Sequence, residues 1–256
     1  MNVLHALLLG IVEGITEFLP VSSTGHLVLI ERLVRLEATP FLTSFTIAIQ
    51  LGAVLAVLFI YGRMLWETPR LVARIGVALV PTGLAGFLLY PLVRQWLSSE
   101  GIVIVALILG GIAMIVLERW VFPHRELGAM DETVLPYRSA FLIGLFQCLA
   151  LVPGVSRSAA TIIGGLLGGL SRTAAVRFSF LLALPTMVAA TGLDLYKNAD
   201  AFTGQDLGLL AVGTVASFLT AAVAMRWLLR YIRNHGLTAF GIYRIGFAVL
   251  VWLLLR

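Results

Sequence analysis

The chain has 256 residues, 60% of them apolar and 12% charged, with a formal net charge of +5, whereas soluble domains run near ~45–50% apolar and ~25% charged. At a mean hydropathy of +1.01, a secreted fold, a nucleic-acid binder or a disordered scaffold would leave too much apolar surface in water, which leaves an all-α polytopic membrane protein. The basic balance therefore reports membrane orientation and not nucleic acid, and Cys148, the single cysteine, excludes an intrachain disulfide or a Cys-based metal site.

Met1 to Val12 has no basic residue ahead of its apolar run and no small-residue cleavage site, so it reads as mature protein and not as a cleaved signal. The apolar region Val3 to Val34 is interrupted by Glu13, Glu17 and the stretch from Pro20 to Gly25. That leaves pieces of roughly 12 to 15 residues, shorter than the ~20 needed to cross the hydrocarbon. The pattern predicts a re-entrant helix pair over residues 3–35. Three charge-free spans follow, Ala38 to Gly62, Ile75 to Val93 and Gly101 to Leu117, and then a polar linker from Glu118 to Arg138. A second broken region, Ser139 to Leu170, is interrupted by Pro153, Gly154 and Arg157 and predicts another re-entrant pair over 138–170. The last three spans are Phe178 to Leu193, extended at both ends by charged residues, Leu207 to Met225, and Gly236 to Leu255 around Arg244.

The two broken regions resemble each other. One constant shift sets Gly10 on Gly144, Glu13 on Gln147, Val21 on Val155, Ser22 on Ser156 and Ser23 on Arg157. Each half, 1–120 and 137–256, then holds one re-entrant pair and three spans. Because three is odd, the second half must be upside down relative to the first, an inverted-topology repeat within a single membrane domain. For orientation, Arg63, Arg70, Arg74, Arg119, Arg125, Arg138, Arg172, Arg177, Arg226, Arg230 and Arg233 lie opposite the N-terminal face, against Arg32, Arg35, Arg94, Lys197 and Arg256 on it. The positive-inside rule then places both termini outside and the linker in the cytoplasm.

The first broken region reads GIVEGITEFLPVSSTGH. Glu13 and Glu17 share one helix face, and carboxylates at membrane depth call for a watery cavity, a partner charge or a cation. Beyond the Pro20 break, Ser22 or Ser23 is an N-cap candidate, while Ser23 and His26 lie within one helical face and can address one ligand beside the carboxylates. The second region reads LVPGVSRSAAT and repeats the plan, with Ser156, Arg157, Ser158 and Thr161 at a helix start. Free N–H groups and a planar guanidinium make an anion site there. If the halves are inverted, the tips meet near the midplane, and carboxylates able to hold Mg²⁺ or Ca²⁺ face Arg157 and Thr161. Such a site suits a diphosphate carrying a long hydrocarbon tail.

The strings EGITEFLPVSSTGH and PGVSRSAAT, together with QLGAVLAV after Ile49 and IYRIGFA from Ile242, strongly resemble the bacterial undecaprenyl-diphosphate phosphatase family, also called the bacitracin-resistance protein family. The resemblance covers nearly the full length. It implies hydrolysis of a polyprenyl diphosphate lipid to the monophosphate carrier and inorganic phosphate, at the external side of the bacterial cytoplasmic (inner) membrane. It also implies catalytic Glu13, Glu17, Ser23, His26 and Arg157, phosphate contacts from Ser22, Thr24, Ser156, Ser158 and Thr161, and a Mg²⁺ or Ca²⁺ ion on Glu13 and Glu17. The nucleophile stays open among Ser23, His26 and a water. A transporter or flippase of polyprenyl phosphate or another anion is the alternative, since inverted repeats with broken helices also build secondary transporters. Oligomeric state, a homodimer included, and the roles of Gln50 and Arg244 are left undecided by the sequence.

Overall fold

The computed structural model describes residues 1–37, 39–97, 99–122, 130–198 and 206–254. Ala38, Leu255, Arg256 and residues 123–129 of the linker, Arg125 among them, therefore lie outside the described residues. Those described form eleven α-helices with no β-sheet: α1 (Val3–Thr16), α2 (Ser23–Leu33), α3 (Pro40–Glu67), α4 (Pro69–Leu88), α5 (Tyr90–Leu97), α6 (Glu100–Trp120), α7 (Tyr137–Cys148), α8 (Arg157–Leu167), α9 (Arg172–Lys197), α10 (Asp206–Asn234) and α11 (Thr238–Leu254).

Five of these, α3, α4, α6, α9 and α10, are long and apolar enough to cross a membrane, and α11 has 17 described residues. Local chemistry sets their ends. Thr39 caps α3 and Ser171 caps α9 by accepting from the N–H three residues on, and Pro stands at the start of α3 and α4, where its missing N–H costs nothing. The expected single span from Ile75 to Val93 is corrected: α4 ends at Leu88 and α5 starts at Tyr90. Pro91 stands in the first turn of α5, where a proline is tolerated, and has no N–H to carry the ladder of α4 across the join. At the other extreme α10 runs to Asn234, well past Met225, carrying Arg226, Arg230 and Arg233 beyond the apolar segment.

The four helices of the two broken regions are short. At 1.5 Å per residue even α1, with 14 residues, reaches only about 21 Å against a hydrocarbon core of ~30 Å. Their packing is reciprocal between the halves: α1 lies on α10, and α7 lies on α4. Both contacts need glycine, because a Cβ on Gly10 would collide with Gly213 O, and one on Gly144 with Ala78 O. Small residues at such crossings let backbones approach closely, the main source of helix association where lipid is as apolar as leucine.

At one end of the bundle Glu118 joins three helices. Its carboxylate takes a two-pronged pair from Arg172 at 2.9 and 2.6 Å and accepts from Leu237 N at 3.1 Å. Nearby, Met130 pairs with the Gly169–Ser171 backbone. Its neighbour Glu132 lies buried 3.0 Å from Arg177 Nε, burial pushing its carboxyl up to about 7 despite the guanidinium.

Candidate active site

Both broken regions make the same backbone turn. Ser22 has φ 74° and ψ 95°, Ser156 has φ 70° and ψ 111°, a left-handed conformation uncommon for a non-glycine residue. Each serine then caps the helix that follows, Ser22 Oγ accepting from Gly25 N at 3.5 Å and Ser156 Oγ from Ala159 N at 3.2 Å. The turn re-aims the chain after Pro20 and after Pro153–Gly154. The N-termini of α2 and α8 thus line one pocket, and the first N–H groups of a helix have no partner inside it. Two positive dipole ends with unfilled donors form an anion site before any side chain is added.

The side chains that meet there come from both halves. Arg157 donates through Nη2 to Glu17 Oε1 at 3.2 Å and through Nη1 to Ser179 O at 2.7 Å, and its guanidinium lies 5.6 Å from the Phe18 ring centre. The other Glu17 oxygen accepts from Ser23 Oγ at 2.6 Å, a short charge-assisted bond. Ser158 Oγ donates to Phe18 O at 2.6 Å and clasps the two turns together. Glu13 lies beside Glu17, fully buried, with neither carboxylate oxygen hydrogen-bonded. A polar cavity of about 70 Å³ opens between Glu17, Ser22, Ser23, Thr24, Ser156 and Arg157, and Gln50, Gly154 and Met187 complete its wall.

The remaining candidates stand just outside that wall. The Thr161 hydroxyl lies 2.7 Å from Ser179 Oγ and 2.9 Å from Arg157 O, so it steadies the residue whose carbonyl holds Arg157. His26 faces the other way. Its Nδ1 is 2.7 Å from Ser22 O and must carry the proton, which leaves Nε2 to accept from Tyr243 Oη at 2.7 Å. The imidazole stacks on Phe247 with ring centres 3.9 Å apart. The histidine therefore braces the Ser22 turn, with both nitrogens engaged.

Four contributors are not marked by charge or spacing, although Phe18 and Tyr243 lie within the strings EGITEFLPVSSTGH and IYRIGFA. Ser179, Met187 and Tyr243 are ordinary residues of apolar helices, and Phe18 enters through its carbonyl and ring. Gln50, an amide within a charge-free span, is the exception. It lines both the polar pocket and a larger cavity of about 670 Å³ walled mainly by Ile47, Leu79, Phe87, Leu151, Ala190 and Leu193. The site thus couples an anion pocket to an apolar chamber through one side chain.

Residues 6–250 match the profile of the family described as bacitracin resistance protein BacA. Three relatives are each named undecaprenyl-diphosphatase. The protein of Aquifex aeolicus (strain VF5) is 48% identical over 242 residues, 94% of either chain. That of Sulfurihydrogenibium sp. (strain YO3AOP1) is 47% identical over 255 residues, 99% of either chain. That of Thermus thermophilus is 49% identical over 248 residues, 95% of this chain and 94% of its own. With a family profile spanning almost all of its helices and relatives near half identity along its whole length, the chain belongs to the bacitracin resistance protein BacA family.

Proposed function

We propose that this protein hydrolyses undecaprenyl diphosphate to undecaprenyl phosphate and inorganic phosphate, returning the lipid carrier to cell-envelope polymer synthesis. One observation carries the reading beyond the relatives' name: Arg157 from one half meets Glu17 and Ser23 from the other in a polar pocket that shares Gln50 with an apolar cavity. The polar pocket would take the diphosphate, and the chamber beside it the first isoprene units.

Substrate entry changes the Arg157–Glu17 pair. A phosphate offers the guanidinium two coplanar oxygens and takes it over from Glu17. Glu17, released from its counter-charge and still 2.6 Å from Ser23 Oγ, becomes the stronger base. In the favoured scheme Ser23 Oγ attacks the terminal phosphorus and its proton passes to Glu17. The bond to the bridging oxygen breaks and undecaprenyl phosphate leaves with that electron pair. Water then cleaves the phosphoserine, releasing phosphate and restoring the hydroxyl. Arg157 and the N–H groups of α2 and α8 take up charge on the transferring group, preorganised and sheltered from solvent. Direct attack by water is the competing scheme, with Ser23 then a phosphate donor.

A divalent cation, Mg²⁺ or Ca²⁺, fits the carboxylates. Glu13 has two buried oxygens without hydrogen bonds next to Glu17, and hard cations take oxygen ligands. Among the described residues no third His, Cys, Asp or Glu joins them, so substrate and water oxygens would complete the set. Bound there, the ion would neutralise diphosphate charge.

The matching turns at Ser22 and Ser156 and the reciprocal packing of α1 on α10 and α7 on α4 support an inverted repeat with two re-entrant pairs. The excess of arginine opposite the N-terminal face supports external termini and a site open to the external leaflet of the cytoplasmic membrane.

Four outcomes test this reading. Arg157→Ala lowers phosphate release from undecaprenyl diphosphate at least 100-fold, about 3 kcal/mol of barrier, and Arg157→Lys recovers little of it; a lysine variant near wild type would remove the bidentate role. Ser23→Ala leaves less than roughly a tenth of turnover, a barrier change above ~1.4 kcal/mol, in protein that still folds; higher residual activity transfers the attack to water. Excess EDTA stops turnover, and Mg²⁺ or Ca²⁺ restores it. Full activity in EDTA together with an active Glu17→Gln assigns both carboxylates to structure. In a Cys148→Ser background, single cysteines placed at position 1 or 256 react with impermeant maleimide from outside intact cells and one placed in the 123–129 linker does not; the opposite pattern defeats the orientation.

A further inference from the structure

Arg244 is fully buried in α11, and among the described residues it makes no ion pair. Its guanidinium is spent on backbone carbonyls: Nη1 donates to Val155 O at 2.8 Å, Nη2 to Gly154 O at 2.8 Å and Ala106 O at 3.0 Å, and Nε to Leu107 O at 3.3 Å. Two of these acceptors belong to α6 and two to the turn that immediately precedes Ser156 and Arg157. Carbonyls in a buried turn have no ladder to satisfy them, and an unpaired one is costly away from water. Helix α6 makes room for the clamp with a glycine, since a Cβ on Gly110 would stand 2.8 Å from Arg244 Cζ.

The preceding residue of α11 does the equivalent for the other half. Tyr243 hydrogen-bonds His26, which in turn holds Ser22 O. Adjacent residues of one helix thus secure both left-handed turns, and with them the two helix N-termini that face each other across the pocket.

We propose that Arg244 is a positioning residue for the hydrolysis: by tying Gly154 and Val155 to α6 it sets the turn at Ser156 and so aims Arg157 at the phosphate pocket. It touches no substrate itself. This inference rests on the phosphatase reading for its activity measurement but not for its binding measurement.

The test uses full-length purified protein, with undecaprenyl diphosphate as substrate and inorganic phosphate as a binding probe. Arg244→Met keeps much of the side-chain volume and removes all four hydrogen bonds. It is expected to lower kcat at least tenfold and weaken phosphate binding at least tenfold, read both as inhibition and as the phosphate-induced rise in melting temperature. Arg244→Lys, which cannot span both pairs of carbonyls, falls between Met and wild type. A purely packing role predicts instead that folded Arg244→Met matches wild type within twofold in kcat and in phosphate affinity, and that result overturns the proposal. Should Arg244→Met not fold, Gly110→Ala decides, because it displaces the guanidinium and changes no charge. The same twin losses are expected, and wild-type values overturn the clamp. Wild-type protein that binds phosphate yet releases none from undecaprenyl diphosphate would defeat the phosphatase reading and leave the phosphate measurements to judge Arg244.

Discussion

The buried pair between Glu17 and Arg157 is the contact on which the rest of the site depends. The residues are 140 positions apart in sequence and 3.2 Å apart in space, with side chains 5% and 7% exposed. Desolvating two charges costs several kcal/mol each, and further hydrogen bonds to the pair offset part of that cost. Here Ser23 fills the second Glu17 oxygen and Ser179 O takes a second Arg157 donor, while the buried Arg157 Nε has no hydrogen-bond partner among the described residues. Stability alone does not call for this arrangement, since apolar residues would pack the same space at lower cost. A polyanion does, because it requires a fixed cation, and the cation requires a carboxylate until the anion arrives.

Around that pair the backbone supplies what side chains cannot. Two helices begin at the site from nearly identical left-handed serines, so two sets of unfilled N–H groups converge on one small volume. Buried non-helical backbone persists only where protein or a cavity satisfies it. His26 and Arg244 meet that condition for Ser22 and for Gly154 and Val155 respectively. An apolar chamber shares Gln50 with the polar pocket, so a polar site and an apolar cavity stand side by side within this helical fold.

Composition and the spacing of charged residues determined the membrane class, the positions of the long helices and the two places where helices break, because a missing N–H at proline and a charge in hydrocarbon have large, local costs. A cap at Ser22 or Ser23 was legible for the same reason, whereas the choice of Ser22 and the cap at Ser156 were not, and Glu17, Ser23 and Arg157 stood out as polar groups in apolar strips. The interruption at Pro91 was present in the sequence but hidden within an unbroken apolar run. Whether His26 faces ligand or protein could not be read from its three-residue spacing to Ser23. That spacing fixes a shared helix face, while the choice was made by Tyr243 and Phe247 on α11, more than 200 residues away. Arg244 was visible only as a charge out of place, and its acceptors are backbone carbonyls, which every residue has and which therefore leave no trace in side-chain chemistry. The sequence by itself determined which groups had to be satisfied; tertiary structure alone decided by whom, because partners are chosen by proximity between segments that local patterns do not relate.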